Sequence, residues 1–283
     1  MRWQQGRRSS NIENRRGKGK AVAGGGGILL VIGLVVTLMG GNGTPFISEG
    51  IERTIQSRQI SKTNLPPEQE KELVDFVSVV LGSTEDVWRS EYAQQGEEYN
   101  PPKLVLFSDV VSSACGRAGA ATGPFYCGRD QNIYIDLAFY QDLKSKLNAP
   151  GDFAQAYVIA HEVAHHIQNN MGVLDAVQQA REQMSSIDAN RMTVRLELQA
   201  DCFSGMWARK VQTNYNMIEA GDIDEALNAA SQIGDDRLQK KSQGYVVPDS
   251  FTHGTSSQRQ KWFKRGFETG DINSCNTFEA KNL

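Results

Sequence analysis

A mostly helical α+β domain with one short sheet is the fold class this 283-residue sequence predicts, and three observations predict it. Hydrophobic residues make up 39 % of the chain, enough to bury a core. Apolar residues recur at helical spacing through most of the chain beyond residue 137. Two short runs rich in β-favouring residues, KLVLF at 103–107 and NIYID at 132–136, bracket a Gly-rich loop and are expected to pair as the sheet. Taken in order, Pro66-Pro67 opens a helix to about residue 81, with Leu73, Phe76, Val79 and Val80 along one face. Ser83 and Asp86 resemble a capping box for a second helix that ends at the Gln94-Gln95-Gly96 turn. After the strands, helices are expected at about 138–147, 152–170, 174–184, 189–213, 222–242 and 255–269. There is no collagen period, sustained heptad or internal repeat.

The first 64 residues read differently. No residue between 21 and 48 is charged, and residues 28–39 (ILLVIGLVVTLM) are almost purely aliphatic. About 20 residues span a bilayer core, so residues 21–41 are expected to form one transmembrane signal anchor. A cleaved secretory signal fits less well, because the basic region ahead of the run is long and only Gly41-Asn42-Gly43 follows where an A-x-A site would lie. Residues 1–20 carry five Arg and two Lys against Glu13, which marks them as a basic cytoplasmic tail under the positive-inside rule. Residues 42–64 would be a linker and residues 65–283 an extracytoplasmic domain, with the lipid bilayer as a partner through the apolar segment. The net charge of the whole chain is -3, so everything after the basic head is acidic, which argues against nucleic acid as a partner. Four cysteines and no C-x-x-C pair suit two disulfides in an oxidising compartment. Cys115 and Cys127 flank a stretch that can fold back on itself, which leaves Cys202 for Cys275.

The chemistry concentrates in residues 157–167, YVIAHEVAHHI. His161 and His165 are four apart, so on a helix they share a face and both imidazoles can reach one Zn²⁺. Glu162, one position along, is placed to act on a water at that metal as general base. Two imidazoles leave a tetrahedral site incomplete, and Glu197 in the segment RLELQADC is the candidate third ligand. Asp201, four residues on, could accept a hydrogen bond from the distal nitrogen of a ligating His and fix its tautomer. The bland alternative pairs Glu197 with Arg191, Arg195 or Lys210 on a solvated surface. His166 points about 100° away from His165 around a helix, which suits core packing or a hydrogen bond. His253, in a Thr-His-Gly turn, could donate to the oxyanion of a tetrahedral intermediate, or it could simply hold the turn. Tyr126 and Tyr134 are phenolic donors without an assigned place. The strand at 132–136 could offer an edge to an extended peptide, or be an ordinary structural strand.

These residues resemble the bacterial membrane-anchored "putative neutral zinc metallopeptidase" family. The likeness extends to the Cys115 to Cys127 loop, Tyr134 to Asp136, the H-E-x-x-H run, Glu197 to Cys202 and a late stretch from Ser250 to Phe267. E-x-x-x-D after H-E-x-x-H is also similar to the thermolysin-like gluzincins, although the gap from His165 to Glu197 is longer here. The resemblance implies a zincin-like domain in the bacterial cell membrane with one zinc per chain. His161, His165 and Glu197 would be ligands, Glu162 the base and Asp201 the partner behind a ligand. It also implies a peptidase acting on peptides or proteins. The competing readings are a catalytically silent, zinc-stabilised envelope scaffold, an amidase acting on cell-wall peptides, and a redox protein built on the cysteines.

Overall fold

The computed structural model describes residues 1–16, 66–119 and 122–283, and it is a helical α+β fold. The strands are β1 (Ile12–Asn14), β2 (Lys103–Phe107), β3 (Val110–Ser113), β4 (Gly116–Gly119), β5 (Phe125–Cys127) and β6 (Asn132–Asp136). The helices are α1 (Pro67–Gln94), α2 (Ala138–Ser145), α3 (Asp152–Asn170), α4 (Val173–Arg181), α5 (Ser186–Tyr215), α6 (Asp222–Gln232), α7 (Asp235–Gln243) and α8 (Ser256–Thr269). The four-stranded sheet runs β1-β2-β6-β5, and β3 and β4 form a separate hairpin. The two expected strands do pair, in parallel and in register from Lys103 with Asn132 to Phe107 with Asp136. The strand expected to offer an edge lies between β2 and β5, so its backbone groups are already engaged on both sides. The edge strands are β1 and β5, and β5, antiparallel to β6, is the one next to it.

α3 and α5 form the centre. Nearly every side chain of α3 from Phe153 to Gln168 is buried, as its long uncharged run predicts. α8 crosses α5 with backbones almost touching. A Cβ on Gly205 would fall 2.0 Å from the Phe263 carbonyl oxygen, and one on Gly266 would fall 1.9 Å from that of Cys202. Only glycine at both points allows this approach. Both disulfides form as expected, Cys115 to Cys127 and Cys202 to Cys275. In the chain-entropy picture, the longer of the two loops contributes about 4 kcal/mol by restricting the unfolded chain.

Three expectations need correction. The two helices expected around residues 66–95 are one, α1. The Ser83 hydroxyl donates back to the Val80 carbonyl at 2.7 Å rather than capping a new helix. The helix expected at 222–242 breaks into α6 and α7. The Asp235 N–H turns out to the Gly254 carbonyl at 2.9 Å, and its carboxylate accepts from the backbone of Thr252, His253 and Gly254.

The third correction concerns the basic head. Residues 1–16 are not a detached tail but part of the body. Met1 and Trp3 are buried in the main core, each such side chain contributing about 1.5–3 kcal/mol, and β1 extends the sheet by pairing in parallel with β2. The arginines complement acids of α1: Arg8 meets Asp75 at 2.6 Å, Arg7 meets Glu85 at 2.7 Å, and Arg16 pairs with Glu70. Glu85 is buried and also accepts from Ser9 at 2.5 Å and Asn11 at 2.8 Å. That packing does not fit a basic tail held apart from residues 65–283 across a membrane. The expected anchor at 21–41 and the linker at 42–64 lie outside the described residues. Among the described residues no helix is long and apolar enough to cross a membrane.

Candidate metal centre

α3 and α5 bring the sequence-singled residues together. His161 Nε2 lies 3.1 Å from one Glu197 oxygen and His165 Nε2 lies 3.6 Å from the other. One ligand atom from each of the three falls within 4.8 Å of the others, and all three residues are buried. The solvated-surface alternative for Glu197 is thereby excluded.

Each imidazole is held from behind. His161 Nδ1 donates to Asp201 at 2.9 Å, and His165 Nδ1 donates to the Gln168 side-chain oxygen at 2.8 Å. With both Nδ1 atoms engaged, both Nε2 atoms face the gap before Glu197, which is the arrangement metal-ligating histidines adopt. Asp201 is anchored in turn by Arg259, at 2.9 and 3.0 Å, and by the Tyr157 hydroxyl at 2.5 Å. Gln168 is fixed by donating to the Leu196 carbonyl at 2.7 Å and to Gln199 at 3.1 Å. The donor set of two imidazoles and one carboxylate suits Zn²⁺ and leaves a position open.

Glu162 stands beside this group. It is buried, and among the described residues its Oε2 has no hydrogen-bond partner. Such an atom is costly in a finished core and calls for a partner that binds later. Burial pushes its carboxyl above the ordinary range, only partly opposed by His165 and His161. Burial also works against charge on Glu197, yet the adjoining His165 and His161 outweigh it and hold that carboxyl well below its usual value. For His161, burial disfavours the proton, but the hydrogen bond and charge of Asp201 prevail and raise the ring to about 9.

The three face a cleft of ≈ 720 Å³ counted with its open mouth. Phe139, Leu147, Val158, Ile233 and Leu238 give it apolar walls, and Gly123 and Pro124, just ahead of the β5 edge, form one rim. His253 also lines it. Its Nδ1 donates to Asp235 at 3.1 Å, and although burial opposes a proton there, Asp235 raises the ring above its ordinary value. His166 faces elsewhere: it donates to the Asn100 carbonyl at 2.7 Å and accepts from Tyr126 at 3.1 Å, and burial lowers it to about 4. Tyr134 donates to Asp130 at 2.7 Å, away from the cleft.

Sequence reasoning missed Gln168, Asp235, Tyr157 and Arg259. Gln168 carried a signal, since it follows His165 by three residues and so shares its helical face. Asp235 and Arg259 carried none, because only the fold brings them to residues 18 and 58 positions away.

A profile of the family described as "Putative neutral zinc metallopeptidase" matches residues 1–278. The chain is similar to the uncharacterized protein YpfJ of Escherichia coli (strain K12), with 46 % identity over 98 % of this chain and 99 % of that protein. It is also similar to the uncharacterized protein Rv2575 of Mycobacterium tuberculosis (strain ATCC 25618 / H37Rv), with 43 % identity over 65 % of each chain. No solved structure matches.

Proposed function

Because the chain belongs to the family described as putative neutral zinc metallopeptidases, we propose that it hydrolyses peptide bonds with one Zn²⁺ held by His161, His165 and Glu197. The observation that carries this reading is the buried, unpartnered Oε2 of Glu162 beside a convergent His-His-Glu set. A scaffold whose metal is only structural has no use for that carboxylate.

When bound, zinc supplies Lewis acidity that polarises the scissile carbonyl and acidifies a water. The rest is done by the chain. Glu162, whose carboxyl burial raises above the ordinary range, takes the proton of the attacking water at Oε2 and returns it to the leaving nitrogen. His253, oriented by Asp235, which also favours its protonated form, donates toward the oxyanion from the cleft wall. Asp201 and Gln168 hold the two imidazoles in the required tautomer. An extended peptide or protein segment lies along the free edge of β5, and the apolar walls exclude water. The disulfides suit an oxidising compartment.

The test is Glu162→Gln. The variant is expected to keep one zinc per chain and to lose peptide cleavage by at least about a hundredfold, as removal of a general base does. Undiminished cleavage by the variant would remove Glu162 from the chemistry. A zinc-loaded parent that cleaves no peptide would favour the scaffold.

A further inference from the structure

We propose that Arg237, Lys240 and Lys241 form a subsite beside the catalytic cleft that takes the carboxylate side chains of an acidic peptide. The proposal rests on the peptidase reading above and names the substrate class for that cleft. A groove lined by Gln232, Arg237, Lys240 and Lys241 shares two of its walls, Leu147 and Leu238, with the cleft. A chain leaving the cleft across those leucines runs onto the three cations.

Arg237 donates to the Gln232 side-chain oxygen and Lys241 to a carbonyl, contacts that hold the cations in place without neutralising them. Positions 237, 240 and 241 are i, i+3 and i+4 on α7, so they crowd one helical face, where like charges repel. All three side chains are exposed, and among the described residues none pairs with a carboxylate. The nearby acids are committed elsewhere: Asp142 holds Lys146 at 2.7 Å, and Asp236 accepts from Ser256. The Lys241 ammonium donates to the Lys146 carbonyl, which brings it to the Leu147 wall. The favourable pull of a helix C-terminus accounts for lysines in the last turn of α7 but not for Arg237 a turn earlier. On a chain of net charge -3, this cation face is where a peptide rich in Glu or Asp is attracted while much of the remaining surface repels it.

The experiment uses the zinc-loaded full-length protein and two peptides that share one large apolar residue and differ only in three flanking Glu or three flanking Gln. At low salt the Glu peptide is expected to show about tenfold higher kcat/KM, mostly through KM, as three exposed charge contacts allow. Added salt should shrink the preference. The variant Arg237→Glu, Lys240→Glu, Lys241→Glu should reverse it, and the milder pair Arg237→Gln, Lys241→Gln should reduce it about threefold should the charge reversal impair folding. Equal kcat/KM for the two peptides, or a preference that survives both variants, overturns the subsite. Fluorescence anisotropy of the labelled peptides on the Glu162→Gln protein separates the two claims. Tighter binding of the Glu peptide, lost on charge reversal, supports the subsite even if no peptide is hydrolysed, which would sink the peptidase reading alone. Equal binding of both peptides overturns the subsite whatever the activity.

Discussion

Two groups of metal-ligand side chains assemble among the described residues, and the surroundings of one suit a metal ion while those of the other do not. His161, His165 and Glu197 form the first, and Asp152, Asp222 and Glu225 the second. In the second, the donors are already supplied. The Met1 ammonium sits 2.8 Å from Asp152 and 3.3 Å from Asp222, and the Phe153 N–H donates to Glu225 at 3.0 Å. In the first, the supporting hydrogen bonds all enter from behind, through Asp201 and Gln168, and the coordinating atoms face a cleft. Closeness of ligand atoms therefore does not define a metal site; what decides is which lone pairs the fold leaves uncommitted and whether a path leads to them.

The largest effect should separate the groups outright. Glu197→Ala is expected to lower zinc affinity by more than about a hundredfold, since losing a ligand should cost more than losing the group behind one. Asp222→Asn should leave zinc affinity unchanged. A competition titration with a chelating dye measures both, and equal losses would erase the distinction.

Next is the support behind His161. Arg259→Gln takes the guanidinium from the buried Asp201 carboxylate and leaves it only the hydrogen bonds from Tyr157 and His161, which should cost about 3 kcal/mol of stability and about 10- to 100-fold in zinc affinity. Chemical denaturation and the same titration read the two effects. Unchanged affinity would reduce Arg259 to core packing.

The elements that were legible in the sequence and those that were not divide along the same line. His161, Glu162 and His165 lie within five residues and Glu197 and Asp201 within another five, so helical spacing alone reveals each pair's shared face. The long helices α3 and α5 were legible for the same reason. β1 was not: three residues inside a charged head become a strand because β2 offers a free edge and α1 offers acids to the arginines. The order of strands, which makes β5 and not β6 an edge, is likewise a tertiary outcome. Ser83 misled because a hydroxyl that can cap a helix can also bond back within one.

A smaller effect concerns protons. Without metal, His161 is raised to about 9 from the ordinary 6.5, so the stability it contributes is full below pH about 6.5 and is lost as pH rises through about 9. Its Nε2 must be unprotonated to bind metal, so loading zinc at pH 7.5 should release about one proton. Calorimetry in buffers of different ionisation enthalpy measures this, and no buffer dependence would contradict the assigned hydrogen bonds. The smallest effect belongs to the second group. Asp222→Asn should lower stability by about 1 kcal/mol, or Tm by about 2–4 °C, through its weakened contact with the ammonium. An unchanged Tm would show that Asp152 suffices.

The most direct measurement is the X-ray absorption fine structure of the zinc-loaded protein. Two imidazole nitrogens and carboxylate oxygen at about 2.0–2.2 Å are the predicted neighbours of the metal. A spectrum without imidazole scattering, or one with sulfur near 2.3 Å, would contradict the centre assigned to His161, His165 and Glu197.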